Sequence, residues 1–270
     1  MTLLEVLRRA TGYLETHGAD SPRLDAEVLL AHVLGIRRLD LYLQFDRPLE
    51  ESQLAPYREL TARRGRGEPV AYLTGHREFM ALDFAVTQDV LVPNPDTEVL
   101  VQRAVEWGRL RGGPLRFADV GTGSGCIAVS VAHYLPGATV DATDISPAAL
   151  AVAAGNAERN GVGERVRFLC GDLAEPLGGR YDALLANLPY VAESAPLPAE
   201  VTAQPAIALY GGVTLVNRLL AAAPSLLAPG AIALLEIDPA ITADLRVEGF
   251  AGWKVLKDLG GHDRVLEAWI

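Results

Sequence analysis

From residue 115 to the end of the chain, apolar runs of strand length alternate with segments of helical periodicity. Strands are predicted at residues 115–120, 138–144, 165–170, 181–187, 230–237 and 264–270. Helices are predicted near residues 125–135, 147–160 and 213–227. Such alternation builds a mostly parallel sheet covered on both faces, because each crossover lays a helix on the sheet. The pattern therefore predicts a doubly wound α/β fold.

The first 70 residues have a different pattern, in which apolar residues recur at helical spacing. Ser21 and Pro22 are typical of a helix N-cap followed by proline at the first helical position, and Gly35 is expected to end that helix. Residues 51–64 predict a further helix. Because no catalytic residue types cluster here, we interpret residues 1–70 as a helical domain that acts as a scaffold or recognises the substrate.

Short runs of β-type residues separate these two parts, at residues 71–73, 79–86 and 90–92. They predict a β-hairpin linker over residues 71–92, with the α/β domain occupying residues 93–270. Asp96 or Thr97 is expected to cap the first helix of that domain, which is predicted over residues 97–111.

Charge and cysteine content restrict the partners and the location. The formal net charge of −10 argues against binding of long nucleic acid through a broad basic surface. Arg63, Arg64 and Arg66 form a dense basic cluster, which we interpret as a solvated helix end. Cys126 and Cys170 lack the spacing of a metal site, so we expect two buried thiols and no metal. No signal peptide or apolar run of about 20 residues is evident, which favours a cytoplasmic protein without membrane contact.

A glycine-rich loop, DVGTGSG at residues 119–125, follows the first predicted strand of the α/β domain. Glycines allow tight turns and close approach of the backbone to a ligand, so the loop supplies candidate cofactor-binding residues. These are Gly121, Thr122, Gly123 and Gly125. The spacing is GxGxG rather than the GxGxxG of dinucleotide sites, which disfavours a nicotinamide oxidoreductase.

Acidic residues follow the next two strands and are further candidates for cofactor binding. Asp144 stands where an acidic residue commonly binds ribose hydroxyls, although Asp144 or Ser146 can also cap the next helix. Asp172 can accept a hydrogen bond from an exocyclic adenine amine, or it is a turn carboxylate with no ligand.

The fourth strand is followed by Asn187, Leu188, Pro189 and Tyr190, which we call the cup. An asparagine oxygen and a backbone carbonyl held by proline can each accept one N–H of a planar –NH2 group beside the aromatic ring. The cup suits a reaction in which an amide or amino nitrogen is the nucleophile. Asn and Pro are also common in turns, so the tetrapeptide alone leaves a plain turn open.

Ligands bind beyond the carboxyl ends of parallel strands, so the residues that follow these four strands are expected to form one site. Together they suit a nucleoside ligand whose reactive centre faces an –NH2 group. S-adenosylmethionine fits this description as the cofactor, since its sulfonium group needs no phosphate cradle. Asn187 then borders both the cofactor site and the substrate site.

Further motifs resemble, in their order, the protein-(glutamine-N5) methyltransferases that modify peptide-chain release factors. They are RR at 63–64, GEPVAYLTG at 67–75, EF at 78–79, VLVP at 90–93 through Glu98, the glycine loop, and DLGGHDRV at 258–265. The resemblance covers nearly the whole chain. It implies a Rossmann-like class I methyltransferase sheet, preceded by an N-terminal helical bundle and a β-hairpin linker.

The same resemblance implies methyl transfer from S-adenosylmethionine to the side-chain nitrogen (N5) of the glutamine in the Gly-Gly-Gln motif of class I release factors. Asn187 and Pro189 would hold the glutamine amide and Tyr190 would pack beside it, as the catalytic residues. With Leu188 these residues form the substrate-binding set. The release factor is then the protein partner of an enzyme, expected to be a monomer, that makes no direct contact with nucleic acid.

The chain departs from the family pattern at several positions. Leu188 replaces the first proline of the family's Asn-Pro-Pro-Tyr motif, Asn94 replaces an arginine, and both Asp96 and Gln204 replace glutamates. The glycine-rich segment at residues 211–215 is one residue shorter than in the family.

Two other functions remain open at this point. An N-methyltransferase acting on an exocyclic base amine of RNA or DNA would use the same cup, because that amine is also a planar –NH2 group. The changes at Leu188 and Asn94 leave room for a non-catalytic binding module on a degenerate methyltransferase fold. The acidic chain and the helical N-terminal domain favour a protein substrate.

Overall fold

The structure is a computed structural model that describes residues 1–192, 195–258 and 260–270. The chain forms two compact units, one of Met1–His76 with Leu197–Ala203 and one of Arg77–Pro196 with Gln204–Ile270. The first boundary falls inside the predicted linker, and the functional division at residues 70 and 92 stays a prediction. Across the described ranges, no helix is long and apolar enough to cross a membrane.

The helical unit forms from the amphipathic segments at the start of the chain. Its helices are α1 (Leu3–Thr16), α2 (Pro22–Leu34), α3 (Glu51–Gly65), α4 (Val70–Thr74) and, from the segment 197–203, α8 (Ala199–Thr202). A capping box between Thr2 and Glu5 starts α1. Gly35 ends α2 with φ 64°, a left-handed conformation that glycine adopts without strain. Fully buried leucines of α1 and α2 fill the core between them.

The basic cluster at the end of α3 is solvated only in part: Arg66 is exposed, but Arg64 is buried. Arg64 Nε donates to Asp25 Oδ2 at 2.7 Å, and Arg64 Nη2 donates to Glu200 Oε2 at 2.6 Å. The second bond holds α8 within the helical unit, although Glu200 is 136 residues distant in sequence. A run of arginines looks solvated when its local sequence alone is considered, since a buried guanidinium needs acidic partners from elsewhere.

Two predicted β segments are absent from the described structure. Residues 71–73 lie in α4, which starts after Pro69 and ends at Gly75 with φ 77°. Such a short apolar run does not distinguish strand from helix, and the flanking residues favour the helical turn here. Residues 90–92 form no strand and instead line the cavity described below.

The predicted run 79–86 is divided by a tight turn. Strands β1 (His76–Phe79) and β2 (Leu82–Ala85) form a two-stranded sheet. Met80 and Ala81 between them have φ 50° and 56°, as a two-residue hairpin turn requires. Glu98 Oε1 accepts from the Met80 N–H at 2.8 Å and holds this turn. The hairpin is confirmed, but its turn lacks the Asn-Gly or Asp-Gly signal that would have located it.

The second unit is built on a mostly parallel sheet. Its strands are β3 (Leu115–Val120), β4 (Ala138–Asp144), β5 (Val166–Cys170), β6 (Tyr181–Ala186), β7 (Leu227–Glu236), β8 (Gly252–Lys257) and β9 (Asp263–Trp269). Within the described residues they lie in the order β5-β4-β3-β6-β7-β9-β8, with β9 antiparallel to both neighbours. The doubly wound fold is confirmed. Strand β8 was not predicted, and Cys170, at the end of edge strand β5, is exposed rather than buried.

Helices cover both faces of the sheet. They are α5 (Glu98–Arg111), α6 (Cys126–Tyr134), α7 (Pro147–Arg159), α9 (Ala206–Leu209) and α10 (Gly212–Leu226). Successive strand residues point to opposite faces, so Leu185 packs in the core with α5 and α6 while Leu184 packs in the core with α10. The carboxyl ends of β3, β4, β5 and β6 therefore meet at one edge of the sheet.

Candidate active site

The glycine loop connects β3 to α6 at this edge. Gly121, Gly123 and Gly125 have φ values of 74°, 54° and 80°, which side-chain-bearing residues rarely adopt. A Cβ on Gly123 would meet no atom within 4 Å, so this residue faces open space, whereas Gly125 packs against the backbone of α7. Thr122 Oγ1 donates to Asp119 Oδ2 at 2.6 Å. The loop therefore has an open side toward the cavity and a fixed side toward the helices.

Asp119 supports this loop from inside the sheet. It is fully buried, and burial raises the pKa of its carboxyl group to about 7. Its Oδ2 accepts from the Thr122 hydroxyl and from the Ala128 N–H at 3.2 Å. Asp119 thus ties the loop to the first turn of α6.

Asp144 ends β4 and is held by two backbone donors. Oδ2 accepts from the Gly123 N–H at 2.8 Å, and Oδ1 accepts from the Ser146 N–H at 2.9 Å. The cap of α7 is Ser146, whose hydroxyl accepts from the Ala149 N–H. Asp144 is therefore not consumed as the helix cap, and each carboxylate oxygen keeps a lone pair for a ligand hydroxyl.

Asp172 follows β5 and has a partner that the sequence did not suggest. Arg218 Nη2 on α10 donates to Asp172 Oδ2 at 2.6 Å. Both side chains line the cavity and are partly exposed. Oδ1 remains available to accept from a ligand amine, while the guanidinium fixes the carboxylate.

Asn187 of the cup is oriented by a residue expected to have another role. Asn187 Nδ2 donates to Thr97 Oγ1 at 3.0 Å. Thr97 makes no capping bond; Asn94 caps the turn before α5 instead, accepting from the Asp96 N–H at 3.1 Å. The prediction that Asp96 or Thr97 caps this helix is wrong, because a short 3-10 turn precedes α5 and moves the cap upstream.

Leu188 is held by packing. It is 4% exposed and lies in the core on the α10 face of the sheet. Its Cδ2 would lie 2.9 Å from a Cβ on Gly121, so the leucine fills the space left by that glycine. The following Pro189 also restricts the backbone of Leu188. Packing and the neighbouring ring thus supply the stiffness that the family's first proline would give.

The segment of residues 209–211, which we call the closing segment, contacts the cup and the residue after it. The Val191 N–H donates to the Leu209 carbonyl at 3.1 Å, and the Gly211 N–H donates to the Val191 carbonyl at 3.3 Å. Gly211 approaches Pro189 so closely that a Cβ would lie 2.5 Å from the Pro189 carbonyl oxygen. Gln204 Oε1 accepts from the Val92 N–H at 2.9 Å, an acceptor role for which a glutamate is not required.

Tyr190 lies near two charged residues of neighbouring strands, Glu236 at the end of β7 and Arg264 near the start of β9. Burial raises the pKa of the Tyr190 hydroxyl, and the carboxyl group of Glu236 adds to this effect. Arg264 on β9 pairs with Asp96 at 3.2 Å and with Asp258 at 3.0 Å. Asp96 therefore takes part in an ion pair beside the cup.

Together the strand ends line a cavity of about 450 Å³, a size typical of small-ligand sites. The cavity walls include Gly121, Thr122, Gly123, Asp144, Asp172, Asn187, Leu188 and Pro189. Gly125 and Tyr190 lie outside these walls, Gly125 against α7 and the Tyr190 ring against the core on the α10 face of the sheet.

The lining has the chemistry that S-adenosylmethionine needs. Ile145 and Ile207 are apolar, more than half exposed and part of the wall, so a bound nucleoside would cover them. Of the described residues in the wall, Arg218 is the one basic residue, and Asp172 neutralises it. A cavity wall without an unpaired basic residue suits a cationic cofactor better than a cofactor that carries phosphate groups.

The structure adds Thr97, Arg218, Gly211 and Glu236 to the residues around the site. Glu236 alone had a sequence signal, since it is an acidic residue at the end of an apolar strand. The other three approach the site from helices or turns, where no strand-end pattern marks them.

Comparison with known proteins assigns the chain to a family. Residues 5–75 match the PrmC N-terminal domain family, and residues 97–209 match the methyltransferase small domain family. The release factor glutamine methyltransferase of Moorella thermoacetica is 43% identical over 283 residues, covering 100% of this chain and 99% of that protein. The one from Bordetella pertussis is 45% identical over 255 residues, covering 90% and 93%.

Solved structures share the fold. The ribosomal protein L11 methylase of Lactobacillus delbrueckii subsp. bulgaricus has 23% identity and a TM-score of 0.51, covering 68% of this chain and 82% of that one. A methyltransferase from Pyrococcus furiosus has 19% identity and a TM-score of 0.54, covering 77% and 98%. These two similarities concern the fold, whereas the curated relatives match along nearly their whole length. The chain therefore belongs to the family of release factor glutamine methyltransferases.

Proposed function

We propose that this enzyme transfers a methyl group from S-adenosylmethionine to the side-chain amide nitrogen of the Gly-Gly-Gln glutamine in a class I release factor. The hydrogen bond from Asn187 Nδ2 to Thr97 Oγ1, at 3.0 Å, supports the proposal best. Because the amide donor is engaged there, Asn187 Oδ1 is left to accept one N–H of the substrate amide.

The cofactor is assigned to the cavity formed by the first three strand ends. The open side of the glycine loop at Gly121, Thr122 and Gly123 allows close approach of the cofactor, with Gly125 fixing the loop on α7. Asp144 accepts from the ribose hydroxyls and Asp172 from the adenine amine. Asn187 borders the methyl group on one side and the glutamine on the other.

The second acceptor is a backbone carbonyl of the cup. The Pro189 oxygen lies against Gly211, whereas the Leu188 carbonyl has no hydrogen-bond donor among the described residues. Pro189 restricts the backbone of Leu188 and so fixes the direction of that carbonyl. We therefore assign the Leu188 carbonyl to the second N–H, with Tyr190 packing behind it.

Orientation is the main contribution of these residues to catalysis. S-adenosylmethionine supplies an electrophilic methyl group on its sulfonium. An amide nitrogen is a poor nucleophile, so holding both of its N–H groups toward fixed acceptors lowers the barrier by positioning. The same acceptors stabilise the positive charge that grows on nitrogen. The methylated nitrogen then loses one proton readily to water, so the cup needs no strong base.

The proposal includes a monomeric enzyme located in the cytoplasm, where translation ends, with the release factor as its protein partner. The relatives that match along the whole chain carry the release factor in their names, which favours a protein substrate over a base amine of RNA or DNA. The packing of Leu188 and the ion pair of Asp96 also argue against a degenerate binding module.

Asn187→Ala tests the central assignment. Removal of one oriented acceptor is expected to lower the methylation rate about 10²–10³-fold. Mass spectrometry of the release factor after incubation detects the added methyl on its glutamine, and calorimetry measures cofactor affinity. We expect a nearly unchanged cofactor Kd. Lost cofactor affinity together with unchanged turnover would show that the role is wrong.

Asp144→Ala is the complementary variant. Loss of the bonds that a carboxylate makes to two hydroxyls, about 1.5–3 kcal/mol each, is expected to raise the cofactor Kd at least tenfold. Turnover at saturating cofactor should change much less. A transfer assay with tritiated donor should label the release factor and leave ribosomal RNA and DNA unlabelled; labelled nucleic acid would favour the alternative.

A further inference from the structure

Glu236 is the last residue of β7 and lies beside the cup. Ala186 pairs with Leu235 in the register of β6 and β7, so Asn187, which follows β6, comes next to Glu236, which still pairs with Val265 of β9. Glu236 is 1% exposed, and neither carboxyl oxygen has a hydrogen-bond partner among the described residues. A buried carboxyl group without partners is costly, so its presence here calls for an explanation.

The surroundings of Glu236 leave it able to ionise near neutral pH. Burial raises the pKa of Glu236 to about 7, while the hydroxyls of Thr97 and Tyr190 act in the opposite direction. Among the described residues, four titratable groups face it, each from a different part of the unit: Arg264 on β9, Asp96 before α5, Tyr190 in the cup and the Cys126 thiol on α6. Arg264 favours the carboxylate and Asp96 opposes it.

Hydrogen-bond polarity connects Glu236 to the substrate. The Thr97 oxygen accepts from Asn187 Nδ2, so the single Thr97 proton remains to be donated. A carboxylate only accepts, and it can therefore draw that proton toward itself. A bond from the Thr97 hydroxyl to Glu236 would continue the bond that Asn187 Nδ2 donates to Thr97 in the same direction. This direction keeps the Asn187 amide nitrogen on Thr97 and its oxygen toward the cavity.

We propose that Glu236 is a positioning residue for methyl transfer: its carboxylate orients the Thr97 hydroxyl, which holds Asn187 with Oδ1 toward the substrate nitrogen. A protonated Glu236 can donate to Thr97, and Thr97 can then donate to the Asn187 oxygen. The Asn187 amide would present an N–H to the substrate N–H, and catalysis would be lost. This inference rests on the proposed function.

Glu236→Gln tests the inference, because glutamine can donate as well as accept and does not titrate. The wild-type kcat is expected to rise with pH through about 7 and then level off. The variant should lose this rise and show a kcat lower by about 10–100-fold, the usual cost of removing a group that orients an active-site ligand. KM for the release factor and the cofactor Kd should stay close to wild type. A variant with the wild-type kcat and pH profile would overturn the inference.

Thermal stability separates positioning from a structural role. Glu236→Gln removes a buried charge, so its Tm at pH 8 should equal or exceed that of the wild type. Glu267→Gln is the matched control, since Glu267 is also buried, lies on β9 and pairs with Arg103 at 2.7 Å outside the cavity. Its Tm should fall while kcat and the pH profile remain unchanged. A lower Tm for Glu236→Gln with unchanged kcat, together with a slower Glu267→Gln of unchanged Tm, would contradict the proposal.

Variants of Thr97 give an independent test. Thr97→Val keeps the shape and removes the hydroxyl, and should reproduce the loss in kcat. Thr97→Ser keeps the hydroxyl and should restore most of the rate. Adding Glu236→Gln to Thr97→Val should cost little more, since both changes break one chain of contacts. Equal rates for the valine and serine variants would overturn the inference even if Glu236→Gln failed to fold.

The two levels of the proposal fail in different ways. If the wild type does not methylate the release factor glutamine, the proposed function is wrong. If the wild type is active and the Glu236 and Thr97 variants match it, only the positioning role is wrong.

Discussion

Replacing Gly211 by alanine tests how closely the cup must be held. Gly211 has φ −165°, an extended conformation that alanine adopts without strain. The added Cβ would lie 2.5 Å from the Pro189 carbonyl oxygen and 3.0 Å from Leu215 Cδ2. Real Cβ atoms essentially never come closer than 3.0 Å to a neighbouring atom. The substitution must therefore displace the backbone of the cup or of its closing segment.

The displacement sets the size of the expected effect. The difference between 3.0 and 2.5 Å requires a shift of at least 0.5 Å. A misplacement of about 1 Å costs about 10²-fold in rate, so half of that should lower the rate of methyl transfer about tenfold. This corresponds to ~1.4 kcal/mol of activation free energy. Because Asp144 and the glycine loop lie on other strands, the cofactor Kd should not change.

Single-turnover methylation of a release factor, followed by mass spectrometry, isolates the chemical step. Gly212→Ala is the matched control, because Gly212 has φ 60° and a Cβ there would meet no atom within 4 Å. It should cost about 1–2 kcal/mol of stability through backbone strain without slowing transfer. Equal single-turnover rates for Gly211→Ala and the wild type would refute the steric reasoning.

Three further substitutions test the packing. Arg64→Ala should lower the free energy of unfolding by about 3–5 kcal/mol, because it leaves Asp25 buried without its cation. As the control, replacing the exposed Arg66 by alanine should change that free energy by less than about 0.5 kcal/mol. Chemical denaturation measures both. Ala81→Gly should raise that free energy by about 0.5–1 kcal/mol, since φ 56° favours glycine, and an unchanged denaturation midpoint would contradict this. Leu188→Ala should cost about 2–5 kcal/mol and also slow methyl transfer.

Strand ends were the part of the site that the sequence could predict. Asp144, Asp172 and Asn187 each follow an apolar run, and parallel strands bring their carboxyl ends to one edge regardless of the helices between them. Alternation alone was therefore enough to group these residues before any contact was known. The resemblance then supplied the substrate, which no spacing could provide.

Side-chain partners were not predictable in the same way. Thr97 and Asn187 are 90 residues apart, and Asp172 and Arg218 are 46 apart. Each contact depends on how a helix or turn lies on the sheet, and sequence periodicity does not specify that placement. Local patterns mislead where a distant partner decides the outcome: the sequence around Arg64 predicts a solvated side chain, whereas Asp25 and Glu200 pair with it in the fold.

The contact between Leu188 and Gly121 joins the two halves of the site. Gly121 belongs to the cofactor loop, yet a Cβ there would lie 2.9 Å from Leu188 Cδ2. Two features therefore favour glycine at this position: its φ of 74° and the close approach of Leu188. A proline at position 188 would be stiff through its own ring, whereas leucine obtains a fixed position from the loop it packs against. The residue whose carbonyl we assign to the substrate is therefore in direct packing contact with the loop that we assign to the cofactor. We therefore expect the alignment of the nitrogen with the methyl group to depend on the packing of Leu188 against the glycine loop.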